Sequence, residues 1–281
     1  MNLKIVFIMF LSIFLISCVS EPDNNNLDEG FILNEGKGYE ISFDYSSNLP
    51  HGQDNELLFE FKNTGTHDIE NLNFDFKDNT FVKFSEKSIT DSLNGRSLEN
   101  PLPTTLRENF NFQTISRNDL GLKDINERVI NLRWSSNFDY STTDSLDICI
   151  NLDDGEVCNF NSITSNKKGS PIVVSSVEWD IITYSDELKV FFDIYLDNLG
   201  EGIPYIKGNE IKQNYIKINS LKVAGKECSI QEDEVNLNLD QVIQCDISLD
   251  RDIDSRITLM TIDFDYNYKL SGSIPLEINY R

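Results

Sequence analysis

The feature that most constrains this chain is a two-residue alternation of apolar and polar side chains, repeated in segment after segment. Tyr39-Glu40-Ile41-Ser42-Phe43 alternates, and so does Leu72-Asn73-Phe74-Asp75-Phe76. Val129-Ile130-Asn131-Leu132-Arg133-Trp134 and Leu146-Asp147-Ile148-Cys149-Ile150 follow the same rule. Successive side chains of an extended strand point to opposite faces. The pattern therefore puts apolar groups on one side of a sheet and leaves polar groups in water. The second half continues it in Ile216–Val223, in Val235–Leu239 and in Ile262-Asp263-Phe264-Asp265-Tyr266. Turn residues such as Asn63-Thr64-Gly65 and Asp78-Asn79 separate short strands, as in a β-sandwich. No segment carries a 3.6-residue stripe, although Arg117–Glu127 has room for one helical turn. The expected fold class is all-β.

At 281 residues the chain has room for two ordinary domains. Asn166-Lys167-Lys168-Gly169-Ser170-Pro171 is polar, contains Gly, Ser and Pro, and directly precedes an apolar extended run from Ile172 to Tyr184. A weak internal repeat spans this point. Leu58-Phe59-Glu60-Phe61-Lys62-Asn63-Thr64-Gly65 parallels Phe192-Asp193-Ile194-Tyr195-Leu196-Asp197-Asn198-Leu199-Gly200, each a strand ending in Asn-x-Gly. Two copies at this length predict two tandem immunoglobulin-like β-sandwich domains, residues 37–165 and 171–281. They are expected to fold separately, so that a fragment starting at Ser170 melts cooperatively by itself.

The N-terminus reads as an address. Lys4 precedes the almost wholly apolar run Ile5–Ile16, which is too short for a membrane span of about 20 residues and suits a signal peptide, residues 1–17. Leu15-Ile16-Ser17-Cys18 resembles a lipobox, in which the cysteine after the cleavage point takes a diacylglycerol on its sulfur. Residues 18–36 then form a tether whose segment Glu21-Pro22-Asp23-Asn24-Asn25-Asn26 is polar and without apolar periodicity, the composition of disorder. The expected location is outside the cell, on the outer side of the membrane, held by lipid on Cys18.

The formal charge is −23, and losing residues 1–17 removes Lys4 and no acid. A field of that sign repels phosphate backbones, which argues against nucleic acid as a partner. Besides Cys18 there are four cysteines, an even number in an exported chain, which points to disulfides. They cluster as Cys149 with Cys158 and Cys228 with Cys245, and local pairing is expected because each pair flanks a candidate hairpin. Neither pair has Cys-x-x-Cys spacing, so zinc is not expected.

On these residues the chain resembles a known group. Phe61-Lys62-Asn63-Thr64-Gly65 is similar to the adhesion-type and S-layer-associated immunoglobulin-like domains of archaeal surface proteins. Leu146-Asp147-Ile148-Cys149, Val157-Cys158, Ser170-Pro171-Ile172 and Asn198-Leu199-Gly200-Glu201-Gly202 resemble uncharacterised surface proteins of small-genome archaea. So does Ser220–Cys228 taken with Val242-Ile243-Gln244-Cys245. The resemblance implies a β-rich extracellular module with no activity attached to it. Lipid attachment also occurs in bacteria, and the source stays open.

The residues offer little to a catalyst. The two histidines, His51 and His67, sit beside turn residues and are expected to be exposed. There is no Gly-x-Ser-x-Gly, phosphate-cradling Gly loop or His-Glu-x-x-His. Asp153-Asp154-Gly155-Glu156 and Asp250-Arg251-Asp252-Ile253-Asp254 have carboxylates for calcium but lack the twelve-residue loop pattern, and Asp-Gly suits a tight hairpin. Asp263 and Asp265 belong to the solvated face of a strand, and Trp134 and Trp179 to the core. No catalytic residue, metal or cofactor is expected. The function expected is a non-catalytic binding or structural module for a surface protein or glycan. The alternative is an accessory extracytoplasmic subunit of a membrane transport or secretion complex.

Overall fold

The computed structural model describes residues 37–280, apart from 47, 98, 122–124, 151–161, 165–168, 185–186, 209, 240–241 and 251–255. The signal peptide, Cys18 and the tether lie outside the described residues. No described helix is long and apolar enough to cross a membrane.

The alternation becomes strands, except that Val235–Leu239 leaves its strand after Asn236 and forms a 3-10 turn at Leu237–Leu239, and the chain is nearly all β. One antiparallel sheet has the order β1 (Tyr39–Tyr45), β3 (Asp54–Asn63), β7 (Thr104–Thr114) and β5 (Val82–Phe84). A second runs β16 (Ser229–Ile230), β18 (Ile243–Asp250), β11 (Glu187–Asn198), β10 (Ile172–Thr183) and β9 (Ser162–Thr164). The third and largest is built on two long strands, β8 (Glu127–Ile150) and β19 (Arg256–Asn279). On the β8 side lie β4 (Ile69–Phe76) and then β6 (Ser88–Leu93). On the β19 side lie β12 (Ile203–Ile206) with β13 (Lys212–Gln213), and β14 (Tyr215–Val223) with β15 (Lys226–Glu227) and β17 (Glu234–Asn236). β2 (Asn48–Pro50) pairs parallel with the end of β19. Before β8 a single turn forms, with Leu120 N–H donating to the Ser116 carbonyl at 3.2 Å.

β8 and β19 pair antiparallel without a register shift, from Ile150 opposite Arg256 to Glu127 opposite Asn279. One face of this ribbon is turned inward along nearly its whole length. β8 contributes Ile130, Leu132, Phe138, Tyr140, Leu146 and Ile148 to it, and β19 contributes Met260, Phe264, Tyr268, Leu270, Leu276 and Ile278. The first sheet covers one end through ring contacts such as Phe43 on Trp134 (5.5 Å), Phe59 on Phe74 (4.1 Å) and Phe61 on Phe138 (5.8 Å). Each such pair adds about 0.5–1.5 kcal/mol beyond its area burial. The second sheet covers the other end, where Val174 N–H donates to Asp144 Oδ2 at 2.9 Å and Ile172 N–H to the Tyr266 hydroxyl at 3.4 Å. Pro275 is tolerated in β19 because it lies between the stretches paired to β12 and β2, where that edge has no described neighbour.

Two lobes result, one under each facing sheet, and residues 37–165 and 171–281 both contribute strands to the ribbon they share. Asn34–Arg281 is one compact unit. The first lobe is completed by the last residues of the chain, and the second contains the end of β8. The expected boundary is itself part of the core at its end: Ser170 is buried, its hydroxyl 3.1 Å from Thr142 Oγ1 and 3.0 Å from the Tyr266 hydroxyl. Gly169 accepts a hydrogen bond from the Tyr140 hydroxyl at 3.1 Å. A polar Gly-Ser-Pro segment reads as an exposed linker, but here its polar groups are met by polar residues of the ribbon.

The repeat seen in the sequence extends to much of the topology. If the roles of β8 and β19 are exchanged, β1-β3-β7-β5 corresponds to β10-β11-β18-β16 and β4 to β12 with β14, while β2 and β9 have no counterpart among the described strands. Ile69 opposite Tyr140 corresponds to Pro204 opposite Tyr268, and Asn73 opposite Asn137 to Lys217 opposite Asp265. Both Asn-x-Gly turns have the same hydrogen bonds. Asn63 Oδ1 accepts from Gly65 N–H at 3.0 Å while its Nδ2 donates to the His67 carbonyl at 2.8 Å. Asn198 Oδ1 accepts from Gly200 N–H at 3.1 Å while its Nδ2 donates to the Gly202 carbonyl at 2.9 Å. Each turn rests on a ribbon tyrosine, Tyr140 or Tyr268.

Candidate functional site: a groove between two strand edges

The sequence-predicted residues are mostly structural where they are described. Cys228 and Cys245 are bonded to each other, with Cα atoms 5.7 Å apart. This bridge fixes the end of the β14–β15 hairpin to β18, and its loop stabilises the fold by about 3 kcal/mol on the chain-entropy account. The equivalent positions of the first lobe hold Phe84 and Phe110, whose rings are 6.5 Å apart. A disulfide in one lobe thus stands where an aromatic contact stands in the other. Cys149 is buried at the end of β8 and disulfide-bonded. Cys158 and the Asp153–Glu156 turn lie outside the described residues, as do residues 251–255 of the second acidic cluster.

The histidines are not the exposed loop residues expected. His51 is half-buried with its ring 5.6 Å from Tyr280, and His67 is half-buried 6.1 Å from Tyr140. Burial holds the His67 pKa below its usual value, against an opposing pull from Asp144 and Asp68. His51 begins a turn and His67 follows one, and these segments fold back onto Tyr280, just past β19, and Tyr140 of β8. Trp179 is in the core, and Trp134 packs on Phe43 and Phe74. Asp263 accepts hydrogen bonds from Ser220 (2.5 Å) and Thr143 (2.6 Å), which lower its pKa. Tyr140, Tyr266 and Tyr268 all have raised pKa values, chiefly from burial, and their hydroxyls stay protonated. Among the described residues no group of three or more His, Cys, Asp or Glu is arranged to hold a metal.

The concave features lie elsewhere, and two are equivalent. In the first lobe a groove of about 400 Å³ runs between β6 and β7, with Ile89 and Leu106 at its floor and Glu86, Asp91 and Glu108 along it. In the second lobe the corresponding groove, between β17 and β18, is about 200 Å³ and is lined by Val235, Val242 and Ile243 with Gln231, Glu232 and Gln244. Both lie on the open side of a sandwich, where the two facing sheets each end in a strand edge. Among the described residues no strand pairs with β6 on the side away from β4, or with Thr104–Asn109 of β7 on the side away from β3.

The two grooves differ in what faces inward. Asp91 is opposite Leu72 and Glu108 is opposite Phe59, so both carboxylates are on the core faces of their sheets. Both side chains are nevertheless exposed. The equivalent positions in the second lobe are Val235, opposite Ile216, and Ile243, opposite Ile194, and both are buried. Buried apolar side chains fill these positions in the second lobe, whose groove is the smaller; exposed carboxylates occupy them in the first. Sequence reading missed this because Asp91 and Glu108 are ordinary surface residues until strand pairing assigns their face.

No known protein family's profile matches this chain, and no curated protein sequence is detectably similar to it.

Proposed function

We propose that this chain is a lipid-anchored protein of the outer membrane face that acts as a non-catalytic binding or structural module for a protein or glycan partner. The observation that carries the reading is the lipobox-like Leu15-Ile16-Ser17-Cys18 placed ahead of an all-β body with an open, acid-lined groove. In this reading each lobe is an immunoglobulin-like sandwich of the adhesion type, supported by two-sheet packing and the repeated Asn-x-Gly strand ends. Residues 18–36 serve in this reading as the segment joining the lipid to the body. Cys149–Cys158 is the pairing proposed for the remaining bridge.

Replacement of Cys18 by Ala is expected to move the protein from the membrane fraction to the soluble one, or to stall it uncleaved. The acyl chains contribute about 0.8 kcal/mol per buried methylene, and nothing else in the reading holds the body to lipid. Fractionation checks the first outcome and intact mass of the wild type checks for the lipid. A wild type without lipid, or a variant retained as before in cleaved form, contradicts the anchor.

A further inference from the structure

We propose that the first-lobe groove is the docking site for an extended polypeptide strand bearing lysine or arginine at alternate positions. The inference rests on the binding-module reading above and names the chemistry of its partner. Three observations carry it. First, two unpaired strand edges, one from each sheet, border the groove, and a strand laid along Thr104–Asn109 would satisfy main-chain donors and acceptors there. Second, alternate side chains of such a strand would point into the groove. There Leu106 and Ile89 meet a methylene stem and the carboxylates of Asp91 and Glu108 meet the cationic head. Among the described residues no ion pair engages Glu86, Asp91 or Glu108, whereas Glu60, Asp75 and Asp78 nearby are paired to Lys62, Lys77 and Lys87.

The third observation is the second lobe. The same pairing there places buried Val235 and Ile243 at the equivalent positions and leaves a smaller groove. The chain therefore tolerates apolar residues at these positions, and the acids in the first lobe are a departure from the better-packed solution. Inward-facing charges also serve to keep open sheet edges from pairing with other molecules. That role needs no floor of apolar residues and predicts no affinity for a cationic strand, so the two accounts separate by experiment. A second copy of this chain is a poor occupant, because its charge of −23 has the wrong sign.

The test uses the full chain, purified from membranes in detergent, at about 150 mM salt, where distant surface charges are screened. The probe is a blocked octapeptide alternating valine and lysine. Expected results are saturable binding by the wild type and at least about a tenfold loss, equivalent to about 1.4 kcal/mol, in the Asp91→Val, Glu108→Ile double variant. That variant installs the second lobe's residues, so its circular dichroism and melting temperature should be maintained or raised. The same peptide N-methylated at alternate amides, or with glutamate for lysine, should not bind. Undiminished binding by the double variant would mean attraction to net charge alone, and equal binding of the N-methylated peptide would remove strand addition; either overturns the proposal. So does absence of binding, and so does a double variant that self-associates while still taking the peptide, which would mark the acids as edge guards. Membrane retention through Cys18 is read separately, so failure here leaves the anchor standing.

Discussion

Residues 169–281 produced alone will give no cooperative thermal transition, and neither will residues 37–160. Mixed in equal amounts, the two fragments will associate and melt as one body. The reason is the exchange of strand ends. The second fragment would carry Leu270, Ile274, Leu276, Ile278 and Tyr280 with nothing to cover them, since the first-lobe sheet that buries them is on the other fragment. At about 1.5–3 kcal/mol per large apolar side chain, five such groups represent about 7–15 kcal/mol. That equals the entire stability of an ordinary domain, about 5–15 kcal/mol. The first fragment is in the same position with Leu146, Ile148 and Ile150 of β8. Calorimetry of each fragment and of the mixture, with size exclusion to count chains, checks the result. A second fragment that melts sharply as a monomer would restore the picture of separable tandem domains.

Gly200→Ala should cost about 3 kcal/mol, toward the upper end of overpacking effects, which for a body of this size lowers the melting temperature by about 6–12 °C. A Cβ at this position would stand 1.9 Å from the Tyr268 hydroxyl oxygen and 2.8 Å from its ring carbon Cζ. Tyr268 cannot easily retreat. It is fully buried, its hydroxyl donates to Asn198 Oδ1 at 2.9 Å, and it accepts from Gly202 N–H at 2.9 Å. Tyr268→Phe alone should cost about 1–2 kcal/mol through the polar groups it leaves unsatisfied. In the double variant the two losses should overlap by about 1–2 kcal/mol, because removing the hydroxyl relieves the collision. The equivalent glycine behaves differently. A Cβ on Gly65 would be 2.3 Å from the Gly169 carbonyl oxygen as well as 2.5 Å from the Tyr140 hydroxyl. Backbone does not yield, so Tyr140→Phe should fail to rescue Gly65→Ala. Chemical denaturation of the wild type and the six variants measures the two cycles; strict additivity at Gly200 would show that the turn does not rest on the tyrosine as described.

Much of this was legible in the sequence, and the illegible part has a definite cause. The β character, the Asn-x-Gly repeat and the Cys228–Cys245 bridge follow from alternation, turn chemistry and spacing. The continuity of β8 does not. Val129–Trp134 and Leu146–Ile150 read as two strands because the inward positions between them include Ser136, Thr142 and Asp144. Hydrophobic alternation lapses there although strand pairing continues: Thr142 and Asp144 meet polar partners from the Gly169–Pro171 segment and the start of β10, while Ser136 Oγ is buried without a hydrogen-bond partner among the described residues. The same polar stretch made part of a linker of Gly169, Ser170 and Pro171, which are in fact buried. The groove was hidden for the complementary reason: its defining residues are acids at positions that pairing alone identifies as inward.

The shared ribbon is tested most directly by a cross-link between its distant halves. Arg133 and Ser273 are exposed cross-strand partners in the first lobe, though they belong to opposite halves of the sequence. Directly paired residues have Cα atoms about 4.5–5.5 Å apart, inside the range a disulfide needs. The Arg133→Cys, Ser273→Cys protein, oxidised mildly and mapped without reduction, should yield a peptide joining these two positions within one chain. Two free thiols that react readily with maleimide, with no such linked peptide, would contradict the ribbon and with it the account of one intertwined body.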